Sequence, residues 1–184
     1  MRRSFITRAL HALGAAAVTA QLLLSLVMEE PEDGPAGPLF ELHETVGLST
    51  LAILAAWWLW IALRGGETPI GVMLPWFSRR RLRDLGDDLL LHLRALLQLD
   101  LPPWRASAPL ASAVHGLGLL AATGSAATGA TWWLAGGGSA VAAAAKELHE
   151  GLGTLVWAYV IGHVALALLH HRRGEPVLGA MKPW

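Results

Sequence analysis

Glu147-Leu-His-Glu-Gly-Leu-Gly-Thr-Leu-Val-Trp-Ala-Tyr-Val-Ile-Gly-His-Val-Ala-Leu-Ala-Leu-Leu-His-His171 decides the fold. It is long and almost wholly apolar between its ends, as a membrane-crossing helix must be. It also carries His149 near one end and His163 in its interior. Ionisable groups in hydrocarbon are costly, so they mark functional positions by default.

The rest of the chain supports a membrane reading. Of 184 residues, 54% are hydrophobic and 15% charged, and the mean hydropathy of +0.45 is too high for an ordinary soluble domain. There is no cysteine, which excludes disulfides, thiolate metal sites, iron–sulfur clusters and Cys-linked haem. Metal chemistry must therefore rest on the eight histidines. The formal net charge of zero carries no information about partners, and nothing in the chain addresses nucleic acid.

Three further spans are predicted, at about 9–28, 43–63 and 109–134, with the quoted stretch (147–171) as the fourth. Together they make one all-α membrane domain, a four-helix bundle over 1–184. Arg2-Arg3-Ser4-Phe5-Ile6 resembles a twin-arginine signal, but the apolar run continues to Met28, and cleavage would discard His11. An acidic loop holding Glu29, Glu30, Glu32 and Asp33 follows span one. Trp57, Trp58 and Trp60, towards the end of span two, suit an interfacial belt. Span three is rich in Gly, Ala, Ser and Thr, which allow close approach of a helix or a flat cofactor. The connection 64–107 is broken by Pro69, Pro75, Pro102 and Pro103. Within it, Arg81 to Leu99 sets leucines against charged residues at helical spacing, as in an amphipathic helix on a membrane surface.

Orientation follows from the basic residues. Arg2, Arg3 and Arg8, seven arginines of the long connection, and Arg172, Arg173 and Lys182 share one side, leaving Lys146 on the other. The positive-inside rule puts both termini and the loop in the cytoplasm.

Direction then fixes depth. Spans two and four run the same way, so His43 and His149, each near a start, should share a level near the outer face. Their surroundings match: Glu41-Leu-His-Glu-Thr-Val-Gly47 and Glu147-Leu-His-Glu-Gly-Leu-Gly153. Each Gly lies one turn past its His, leaving room for a flat ring. His163 lies 14 residues beyond His149, about 21 Å along the axis and on nearly the same face. At that inner level its partner is His11 or His115, and depth alone favours His115 at least as well. Two levels so far apart do not suit a compact zinc site. Paired imidazoles facing each other suit six-coordinate haem iron.

With Arg8-x-x-His11, His43-x-x-x-Gly47, His149-Glu, His163 and His170-His171, the chain resembles the bacterial cytochrome b561 family, which includes the b-type subunits of nickel–iron hydrogenases. The resemblance covers the four spans. It implies two b haems, His11 and His163 holding the cytoplasmic one and His43 and His149 the periplasmic one, and electron exchange with a membrane quinone. Ala12 stands where many relatives carry an aromatic residue, and the resemblance assigns the long connection no role. The function expected is a di-haem electron carrier between quinone and a redox partner, with no catalytic residue required at the iron. His115 or His170 are the candidates for moving protons at a quinone. Superoxide oxidation coupled to quinone reduction ranks second, because the outer side is acidic and an anionic substrate needs a positive funnel. That acidic side suits a cationic c-type cytochrome. A haem-bearing anchor subunit of a larger oxidoreductase is the third alternative.

Overall fold

The computed structural model describes residues 3–29, 37–105, 107–136 and 138–181. Four long helices, α1 (Phe5–Leu24), α2 (Pro38–Leu63), α5 (Pro109–Ala135) and α6 (Ala140–Arg172), are long and apolar enough to cross a membrane. Between α2 and α5 lie α3 (Ile70–Met73), a 3₁₀ turn (Pro75–Phe77) and α4 (Arg79–Leu97); α7 (Val177–Met181) follows α6. The fold is all-α, as expected.

Local chemistry sets the helix ends. Ser4, Ser78 and Ser139 cap α1, α4 and α6 by accepting the N–H of Thr7, Arg81 and Ala142. Pro38 and Pro109 open α2 and α5, where a missing N–H costs nothing. Several bounds differ from expectation. α1 stops at Leu24, four residues early, and α6 begins at Ala140, seven residues early, on the Ser139 cap and a run of alanines that favours helix. Lys146 and Glu147 are therefore helical. The acidic residues Glu30, Glu32 and Asp33, the basic residues Arg2 and Lys182, and part of the loop that holds them lie outside the described residues.

The bundle has two ends. The loop end gathers the start of α1, the end of α2, the start of α5 and the end of α6; the turn end gathers the opposite termini. α1 packs on α2, α2 on α5, and α5 extensively on α6, whereas α6 stands off from α1 and α2. The small core between them is built from Leu54, Ile61, Met73 and Leu119, with Trp57, Trp58, Ala122 and Ala126 against it. In α6 only Ala142, Ala145 and Val156 are buried by the rest of the chain. Exposed apolar side chains such as Leu155, Ile161 and Leu168 would disfavour a soluble fold, but lipid tails are as apolar as they are.

The long connection is built in pieces. α3 lies so close to α5 that a Cβ on Gly116 would run into the Met73 carbonyl. At α4, the buried Asp88 accepts the Leu110 N–H and an Arg105 N–H, fastening α4 to the first turn of α5. Another face of α4 leaves Leu89, Leu93 and Leu96 exposed, the stripe expected of a helix lying on a bilayer. A polar knot closes the loop end. Glu67 accepts from Ser4 N, Thr7 Oγ1 and Arg64 Nη1, and Trp60 Nε1 donates to the same Thr7 hydroxyl. At the far end of α6, Glu175 accepts from His170 Nδ1 and from Trp104 N–H, while Arg173 donates to Leu101 O.

Candidate functional site

The gap between α6 and its stand-off neighbours is where the histidines meet. At the turn end, His43 of α2 and His149 of α6 face each other with ring centroids 6.0 Å apart and planes at 90°. At the loop end, His163 of α6 faces His11 of α1 at 6.3 Å. With metal–imidazole bonds of about 2 Å and about 1 Å from nitrogen to ring centre, two imidazoles on opposite sides of one metal ion have centroids about 6 Å apart. Both pairs have that spacing.

His115 also reaches His163, at 5.0 Å and edge-on. That is shorter than the span two imidazoles need across a metal. Its Nδ1 is hydrogen-bonded within its own helix to Ala111 O, which leaves Nε2 free, so the ring spacing is what sets it apart from His11. His11 is half-buried inside the bundle. Depth along the sequence left His11 and His115 open as partners of His163; the 6.3 Å spacing of His11 is nearer the span across a metal than the 5.0 Å of His115.

The turn-end pair borders a cavity of about 390 Å³, walled by Gln21 and Leu22 of α1, Gly47 of α2, Ser125 and Gly129 of α5, and Gly153 of α6. A side chain at Gly153 would meet open space, as the repeated motif predicts. Gly47 differs: the Gln21 amide packs 3.7 Å from where its Cβ would be, and Gln21 Nε2 donates to the His43 carbonyl. His149 Nδ1 lies 2.7 Å from the Ser125 carbonyl. A carbonyl only accepts, so the proton sits on Nδ1 and the lone pair on Nε2, the tautomer a metal-binding imidazole needs.

At the loop end, aromatic rings support the imidazoles. Tyr159, one turn before His163, stacks on it at 5.4 Å and 17°, and Gly118 leaves the space for that ring. Trp57 meets His11 edge-on at 6.0 Å and packs over Gly14. Trp57 lies 14 residues beyond His43, as His163 lies 14 beyond His149. The repeat of α2 and α6 thus carries an indole in one copy where the other has an imidazole. These tryptophans pack inward rather than forming a lipid-facing belt, because indole N–H groups find partners there: Trp58 donates to Thr123 and Trp60 to Thr7.

The remaining histidines lie apart from both pairs. His92 donates within α4 to Asp88 O, His170 pairs with Glu175 at 2.6 Å, and His171 is exposed. Among the described residues no three His, Asp or Glu side chains converge as a zinc cage would require. Sequence reasoning missed the Ser125 carbonyl, Gly129, Trp57 and Tyr159. Backbone carbonyls leave no trace in a residue pattern, but the small-residue run around Ser125 and the 14-residue offset of Trp57 were visible signals.

Residues 2–184 match the family model for prokaryotic cytochrome b561. The chain belongs to the prokaryotic cytochrome b561 family. No curated protein and no solved structure matches it at a comparable level. As a cytochrome b561 it is a multi-pass membrane b-type cytochrome that binds haem b and works in electron transfer. The turn-end site fits that cofactor: it offers a cavity, a facing imidazole pair with the right span, and an Nε2 lone pair secured by Ser125.

Proposed function

We propose that this cytochrome b561 carries two b haems, one held by His43 and His149 and one by His11 and His163, and passes electrons between a membrane quinone and a redox partner at the opposite face. The observation that carries it is the pair of cross-bundle imidazole contacts at 6.0 and 6.3 Å, on levels about 21 Å apart by helical rise. Bound haem supplies a one-electron carrier whose potential the protein sets through ligation, burial and hydrogen bonding. His43 and His149, and likewise His11 and His163, are the residues that would hold the two haems, each pair offering imidazole nitrogens to one iron. Tyr159 and Trp57 fix the ring orientations at the loop end. Single-residue ligand variants of the purified protein test the reading through haem counts and reduced-minus-oxidised spectra. Absence of a low-spin b-type band would overturn it.

In the proposed orientation the arginine-rich loop end faces the cytoplasm of the bacterial inner membrane. The turn end, with Glu29, Glu41, Glu44, Glu147 and Glu150 against Lys146, faces the periplasm. Lys146 is itself paired with Glu150 at 3.8 Å. This surface supports a cationic docking partner, such as a c-type cytochrome, over superoxide. The exposed leucine stripe of α4 beside the loop end supports surface contact with lipid, and further oxidoreductase subunits would have to share that face.

A further inference from the structure

The two imidazoles at the turn end are held differently. His149 donates its Nδ1 proton to Ser125 O at 2.7 Å, and α5 approaches so closely that a Cβ on Gly129 would stand 3.0 Å from His149 Cε1 and Nδ1. That ring is oriented by a hydrogen bond and backed by a helix. Across the cavity, His43 Nδ1 is buried with no hydrogen-bond partner among the described residues. Gln21, the polar residue α1 brings to this level, gives its amide N–H to the His43 backbone carbonyl instead. A metal-binding imidazole whose second nitrogen donates a proton is the more basic and better fixed ligand.

We infer that His149 is the anchoring ligand of the turn-end haem and His43 the exchangeable one, so that this site can admit a small neutral ligand in place of His43. The cavity wall is mostly apolar, and the two carboxylates on it, Glu44 and Glu150, outnumber the single cation Lys146. Anions are disfavoured there, and a neutral diatomic or an azole is the class that fits. Ser125 and Gly129 act through His149 and are positioning residues. The inference rests on the two-haem reading.

The test compares His43→Gly with His149→Gly in protein purified from membranes, read by haem count and by spin state. The loop-end haem, still low-spin, reports that each variant has folded. His43→Gly is expected to keep two haems per chain, one of them high-spin, able to bind carbon monoxide when reduced and returned to low-spin by added imidazole. His149→Gly is expected to keep one. Gly129→Ala should fall towards one haem, whereas Gly124→Ala, whose new methyl would meet only the Leu152 side chain, should keep two. Equal haem loss in the two His variants, or retention in His149→Gly alone, overturns the inference and leaves the two-haem reading standing. A wild-type protein with a single haem overturns both.

Discussion

Asp88 of α4 accepts the backbone N–H of Leu110 at 2.9 Å, in the first turn of α5. A helix start has N–H groups without partners, and a carboxylate there meets both the hydrogen-bond need and the helix dipole. Because Asp88 is 5% exposed, its loss would leave the Leu110 N–H without that acceptor, while the half-exposed Arg105 guanidinium would turn to solvent. Asp88→Ala is expected to lower stability by about 1–3 kcal/mol, with Asp88→Asn costing less because it keeps an acceptor. Thermal unfolding in detergent measures both, and equal melting temperatures for wild type and Asp88→Ala would refute the clamp.

The polar knot at the loop end makes stability depend on acid. Burial alone would raise the Glu67 carboxyl, but hydrogen bonds from Ser4 and Thr7 and the Arg64 guanidinium outweigh it and hold the group below its ordinary value. A lowered carboxyl pKa contributes stability above the unfolded value of about 4.5, and that contribution is lost as pH falls through the folded value. Melting temperature is expected to drop on acidification below about pH 4.5, and Glu67→Gln should flatten that drop. An unchanged pH profile in the variant would assign the acid sensitivity elsewhere.

The loop-end histidines separate by geometry. His11→Ala and His163→Ala are each expected to lose one haem, while His115→Ala keeps both, since the 5.0 Å contact of His115 with His163 is too short for sharing a metal. Pigment content of the three variants decides the matter. Full haem in His11→Ala, with loss in His115→Ala, would transfer the ligand role to His115.

Docking at the acidic turn end is expected to be electrostatic. Electron transfer to or from a cationic partner should slow as ionic strength rises, since the Debye length shrinks from about 10 Å at 0.1 M to about 3 Å at 1 M. Replacing Glu147 and Glu150 with Gln should weaken the salt dependence. A rate indifferent to salt would exclude this face as the docking surface.

Sequence and structure agree where burial in lipid dictates the pattern. The four spans were legible because a bilayer demands about 20 apolar residues each, and the His43 and His149 levels because span direction fixes depth. The choice between His11 and His115 was not legible. Both reach the level of His163, and what distinguishes them is the spacing of each ring from His163, 6.3 and 5.0 Å, which depth does not report. α3 and the 3₁₀ turn were missed because Pro69 and Pro75 read as breaks, whereas each opens a short helical turn. Asp88 read as one charge on a solvated face; its burial depends on Arg105 and Leu110, 17 and 22 positions away.

α6 lies close to α5 and apart from α1 and α2, yet contributes one imidazole to each cross-bundle pair. It is also the last of the four long helices to leave the ribosome. A polypeptide threaded into the bilayer from its N-terminus therefore has neither pair complete until the final span is in place. On the proposed ligation, pigment uptake becomes a late checkpoint in biogenesis, and a chain truncated before α6 would stay colourless however well its first three helices had inserted.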